Sequence, residues 1–121
     1  MDTLEVAEIK AFVPAKNYEV SKQFYQDIGF TMASDAGGVA YFYTGSSSFL
    51  LQNFYVEEHA NHFMMHLLVK DVLAWHAHLS ALDLVGKYQV KLTAVEVQPW
   101  KMQDFVLIDP SGVLWRIGQN I

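Results

Sequence analysis

Hydrophobic and polar positions change period several times along the chain, and each change predicts an element. In EVAEIKAFVPA, residues 5–15, Ile9, Ala11 and Val13 fall on one face and Glu8, Lys10 and Phe12 on the other, the period-two signature of a strand. A helix follows, with Asn17 as its N-cap, Val20, Phe24, Tyr25 and Ile28 at helical spacing, and Gly29 as its stop. FTMAS, VAYFY and FLLQNFY then read as three strands, separated by the turn-forming DAGG and TGSSS.

The same order recurs. HFMMHLLVK alternates as a strand, Asp71 is placed to cap a helix carrying Val72, Trp75, Leu79 and Leu82 at core spacing, and Gly86 is placed to end it. VKLTAVEV, DFVLID and VLWRIG supply three more strands, the last two joined by DPSG, which suits a type I turn. A repeat of roughly 55 to 60 residues with one element order is the mark of an internal duplication. The expected organisation is one domain over residues 1–121, with modules at about 4–56 and 62–119 and a linker at Val56 to Asn61.

Composition narrows the function classes. A chain of 121 residues that is 52% hydrophobic suits one packed domain. Charged or polar residues interrupt every apolar run before the ~18 positions of a membrane span, and MDTLEVAEIK has no basic region followed by an apolar stretch, so a cytoplasmic location is expected. The absence of cysteine removes disulfides, thiolate nucleophiles and thiolate metal ligands. A net charge of -5 without a basic cluster argues against nucleic acid and slightly favours a cationic partner. The serines at 46–48 are turn chemistry, and AGG has no helix after it to cradle a phosphate.

The element order, together with AFVPAKNYEVSKQFYQDIGF at 11–30 and QPWKMQDFVLIDPSGVLWRIGQ at 98–119, resembles the vicinal oxygen chelate superfamily. That superfamily includes glyoxalase I, fosfomycin resistance proteins, extradiol dioxygenases and bleomycin resistance proteins. The Pro-Trp segment before the closing hairpin is most similar to the bleomycin resistance branch. The resemblance implies an α+β fold of two tandem βαβββ modules forming curved mixed sheets, a cleft on each, and a homodimer.

It also implies where a metal enzyme of the superfamily would carry its ligands: near the start of each module's first strand and near each module's last strand. With Val13 set against Val69, those positions fall on Glu8, Met64, Gln52 and Arg116. A guanidinium does not ligate cations and a thioether suits soft ions only, so no cofactor is expected. The alternative is a divalent metal near Glu8 and His66, in a shifted two-histidine-one-carboxylate set.

Three histidines fall within HANHFMMH, residues 59–66. On a strand His62 and His66 share the face of Met64 and line the cleft, while His59 sits in the linker. His76 and His78 lie two apart on the second helix and face different ways. Arg116 on the cleft face must be paired or solvated, either by Glu8 or by a ligand. Trp115 alternates into the core. Phe12, Tyr41, Tyr43, Phe54 and Trp100 give the cleft a flat apolar character suited to planar or amphipathic molecules, cations included.

The leading expectation is therefore a bleomycin-resistance-like protein that sequesters an amphipathic or cationic aromatic ligand without catalysis. Its expected partners are a second copy of the chain and a small organic ligand, with no nucleic acid and no membrane. The alternative is a metal-dependent glyoxalase- or dioxygenase-type enzyme with an atypical ligand set.

Overall fold

Asn17 begins the first helix in the way its short polar side chain suggests: its backbone is extended and its Oδ1 accepts from the Val20 amide at 3.2 Å. The helix, α1, runs Tyr18–Ile28 and stops at Gly29, whose φ of 120° favours glycine. Before it lies strand β1 (Phe12–Pro14), and after it β2 (Thr31–Ala36), β3 (Val39–Thr44) and β4 (Ser47–Gln52). The computed structural model describes residues 2–121, with the backbone alone at Asp2.

The second half starts from a five-residue helix, α2 (Glu57–Asn61), where a plain linker is expected from sequence. Then come β5 (Met64–Leu68), α3 (Val72–Ser80), α4 (Leu84–Tyr88), β6 (Lys91–Leu92), β7 (Glu96–Gln98), β8 (Met102–Ile108) and β9 (Leu114–Asn120). Asp71 caps α3 by accepting from the Ala74 amide at 3.0 Å, the counterpart of Asn17 on α1.

Two mixed sheets result, with strand orders β1-β4-β3-β2 and β5-β9-β8-β6, β7 also pairing with β8. In each, the first strand runs parallel to the last and the others are antiparallel. The architecture is the expected α+β pair of βαβββ units.

Four local expectations need correction. The alternation over 5–15 yields a strand only at Phe12–Pro14, because the residues before it have no pairing strand; Ile9, expected on the same face as Val13, is 93% exposed while Val13 is buried. Val20, expected among the core residues of α1, is exposed, and Ser21 is buried in its place. Gly86 does not stop the second helix: α3 ends at Ser80, and Gly86 lies inside α4. A Cβ there would come within 2.7 Å of the Asp83 carboxylate, so glycine makes room for that side chain. VKLTAVEV is split because Thr93 interrupts its ladder: the Val106 amide donates to Thr93 Oγ1 at 2.8 Å instead of to a backbone carbonyl.

One core serves both halves. Phe42 and Phe49 stack at 5.4 Å, and Tyr25, Phe30 and Trp115 pack edge-on or tilted around Phe49 or one another. Large aromatics bury roughly 150–250 Å² each, so this cluster is a main source of the hydrophobic stabilisation. The Trp115 side chain is in the core, as its alternation predicts. Fully buried Tyr25 joins the halves: its hydroxyl donates to Asp109 in the DPSG turn and accepts from Trp115 Nε1 at 2.9 Å. No helix among the described residues is long and apolar enough to cross a membrane.

Candidate functional site

Period two divides each sheet into a face that meets the helices and a face that does not. In the first sheet Val13, Ala40, Phe42, Phe49 and Leu51 go inward, leaving Phe12, Tyr41, Tyr43, Ser48, Leu50 and Gln52 on the open face. In the second, Phe105, Leu107, Trp115 and Ile117 go inward, leaving Met64, His66, Leu68, Arg116 and Met102 on the other side.

Glu8 reaches the first open face from the irregular stretch before β1. Its carboxylate accepts from the Tyr41 hydroxyl, from Ser48 Oγ at 2.7 Å and from Lys10 Nζ at 3.1 Å. These three donors, Tyr41 foremost and then Ser48 and Lys10, hold its pKa down at about 2. Lys10 Nζ also lies 4.8 Å from the centroid of the Tyr41 ring. Beside the group is a depression lined by Glu8, Ala33, Tyr41, Tyr43, the turn residues Gly45 and Ser46, and Ser47 and Ser48, which open β4 where the sequence suggests turn.

On the second open face Arg116 pairs with Asp104, Nη1 to Oδ2 at 3.0 Å, and not with Glu8 as the sequence reading allowed. The antiparallel register explains this: Val106 lies opposite Arg116, which puts Asp104 two residues along the same face. Asp104 is 1% exposed, so its charge requires a partner, and Gln98 Nε2 donates to its other oxygen at 2.9 Å. Gly118 allows the arrangement, since a Cβ there would come within 3.1 Å of Asp104 Cβ and 2.8 Å of Met102 Sδ.

The histidines separate. His66 is on β5 in register with Arg116, its Nε2 3.3 Å from Met102 Sδ. His62 is not on the strand: it ends α2, with Nδ1 2.7 Å from the Glu58 carbonyl, because the chain turns a helical turn where extended backbone is expected. His59 packs its ring on Phe63 at 5.4 Å. His76 and His78 meet the backbone carbonyls of Thr93 and Ile28 at 2.9 and 3.1 Å. Phe54 lies just past β4 and Trp100 in the β7–β8 turn, both more than half exposed. Gln52 closes β4 opposite Val39 and Pro14.

The two halves also correct the alignment behind the expected metal positions. The Ala15 amide donates to the Gln52 carbonyl and the Val69 amide to the Gly118 carbonyl, so Ala15, not Val13, matches Val69. The caps Asn17 and Asp71 keep the same spacing. Met64 is then the counterpart of Lys10, and Arg116 of Leu50, displacing Glu8 and Gln52 from those positions by two residues each. An ammonium, an alkyl chain, a thioether and a guanidinium do not fit a hard divalent ion. Among the described residues no group of three or more His, Asp or Glu side chains is placed to hold a metal.

Sequence reasoning missed Lys10, Ser48, Asp104 and Gln98 as members of these faces. Lys10 was legible, because it shares Glu8's face in the alternation; the others depend on strand register.

The model of the Glyoxalase/Bleomycin resistance protein/Dioxygenase superfamily matches residues 6–117, and the chain belongs to that family. Among solved structures it is similar to a bleomycin-binding protein complexed with bleomycin, at 19% identity and a TM-score of 0.81, covering 96% of this chain and 100% of that one. TnmS3, an antibiotic-binding protein from Streptomyces sp. CB03234, matches at 20% identity and 0.76, covering 98% and 99%. A lactoylglutathione lyase from Agrobacterium tumefaciens matches at 16% identity and 0.70, covering 95% of each chain. Binding proteins and an enzyme thus share this fold, and the choice between them rests on side chains. A comparison with curated protein sequences finds no match.

Proposed function

We propose that the protein is a small-molecule binding protein that captures an amphipathic, cationic aromatic compound and releases it unchanged. The observation that carries this reading is the make-up of the open faces. Phe12, Met64 and Leu68 on these faces, and Phe54 and Trp100 at the strand ends, each expose half or more of their surface, and each face also carries a carboxylate engaged by a cationic partner. Such a surface offers area and ring faces to a flat ligand, and it offers no activated nucleophile.

A single chain leaves the apolar side chains of both faces exposed, and large exposed apolar surface is ordinarily covered by a partner. The proposed assembly is a two-fold homodimer in which the open sheets of two copies enclose the clefts. Likeness to bleomycin- and antibiotic-binding proteins supports capture as the mode of action.

Calorimetric titration of the purified protein with bleomycin, and with a planar aromatic cation such as ethidium, tests the reading. Saturable binding of at least one of them at a fixed stoichiometry per dimer is expected. Absence of binding to both would overturn it.

A further inference from the structure

We propose that Glu8, Tyr41 and Tyr43 form a subsite for a ligand alkylammonium group, and that Lys10 is its tethered occupant, displaced when the ligand arrives. The inference rests on the capture function proposed above and specifies one end of the ligand.

Lys10 shows what the corner accepts. Its ammonium sits 3.1 Å from Glu8 Oε2 and 4.8 Å from the Tyr41 ring centroid, within the ~6 Å over which a ring face attracts a cation. Tyr43 lies 6.4 Å from Tyr41, ring to ring, tilted by 58°, so the two phenols make an angled wall. The Tyr41 and Ser48 hydroxyls fix the carboxylate from other directions. Because its pKa is held near 2, the carboxylate carries its charge at any working pH.

Displacement is inexpensive for three reasons. Both partners of the ion pair are partly solvated, with 27% and 34% of the Lys10 and Glu8 side chains exposed, so the freed ammonium can move into water on its flexible stem. One cation replaces another, and the carboxylate is never left unpaired. Lys10 also belongs to a stretch that forms no strand, held to the sheet next door where the Ala11 carbonyl accepts from the Leu50 amide.

The neighbouring depression has room for the rest of the molecule. Its wall includes Ala33 and the small residues of the turn, and a Cβ added at Gly45 would meet nothing within 4 Å. A ring joined to an ammonium through one or two carbons would place the charge on Glu8 and the ring along Tyr43. A purely structural Glu8–Lys10 pair predicts no such selectivity.

The two readings differ in the sign of one mutation. Binding of benzyltrimethylammonium at millimolar concentration, and of its uncharged isostere neopentylbenzene at the lower concentrations its solubility allows, would be followed by NMR titration of the intact protein. Lys10→Met keeps the stem and removes the competing charge, so it is expected to tighten binding of the cation roughly three- to tenfold, while Glu8→Gln weakens it about tenfold or more. Neither should alter binding of the isostere. The proposal is overturned if Lys10→Met leaves cation binding unchanged or weakens it, if the isostere follows the cation, or if the cation binds neither wild type nor Lys10→Met. Thermal melts keep folding defects apart from these outcomes, and Lys10→Gln gives a second neutralised variant. Failure of the capture function is read separately: bleomycin that binds but ignores both substitutions removes the subsite alone, whereas a cation that behaves as expected without any bleomycin or ethidium binding removes the capture reading alone.

Discussion

Asp109 is a buried carboxylate whose titration should be visible in the stability of the whole protein. It is 3% exposed at the turn between β8 and β9. Its Oδ1 accepts from the Ser111 and Val113 amides at 2.8 and 2.9 Å, and its Oδ2 accepts from the Tyr25 hydroxyl. Burial raises its pKa from 3.8 to about 6, outweighing the hydrogen bonds that favour the charged form. The folded state therefore holds a proton on Asp109 that the unfolded chain has lost at the same pH. Stability from this group falls as pH rises between those two values, and above the upper one the buried charge is destabilising throughout. At roughly 1.4 kcal/mol per pH unit the full effect is about 3 kcal/mol. Asp109→Asn cannot titrate and keeps an oxygen for the two amides, although its NH₂ group faces the Tyr25 hydroxyl. Urea unfolding of both proteins from about pH 4 to pH 7, at one protein concentration, isolates the term as a difference. Over that range the stability of wild type minus that of Asp109→Asn should decline with pH by about 2.5 kcal/mol, most of the full effect. A difference that is flat, or that rises with pH, would refute the reasoning and show that Tyr25 and the turn amides offset burial.

Phe49 touches Tyr25, Phe30, Phe42 and Trp115, so Phe49→Ala should lose about 3–5 kcal/mol in urea unfolding; a loss below about 1 kcal/mol would mean that the shared core is loosely packed. Trp100→Ala, at a position 58% exposed, is expected to weaken capture of an aromatic cation, an effect of about 0.5–1.5 kcal/mol, while leaving the assembly intact; lower dimer stability without ligand would place Trp100 in the subunit contact instead. Light scattering at micromolar concentration should report twice the chain mass, and the mass of one chain would contradict the proposed assembly.

Much of the fold is legible in the sequence because its signals are local. Asn17, Gly29 and Asp71 act on the backbone within four residues, and DPSG makes its turn from its own side chain and amides. Errors arise where a partner decides. The alternation of residues 5–11 looks like strand but has no neighbour to pair with. Alternation alone sets Glu8 against Met64, two residues from the true counterpart, because a slip of two leaves a period-two pattern unchanged; the spacing of the two helix caps distinguishes the registers. Arg116 and Asp104 are 12 residues apart in sequence and meet only through hairpin register. His62 shows the limit from the other side, since the short helix before β5 takes it off the strand on which alternation places it. The aromatic character of the open faces, by contrast, follows directly from which residues alternate outward.

The central claim is that the bound molecule leaves as it came. The most direct measurement is mass spectrometry of bleomycin recovered after prolonged incubation with excess and with substoichiometric protein, alongside elemental analysis of the protein itself. Bleomycin retained by the protein should be recovered quantitatively at unchanged mass, with no stoichiometric divalent metal on the chain. Progressive conversion of bleomycin by substoichiometric protein, or close to one metal ion per chain that is lost on replacing Glu8 or His66, would contradict it.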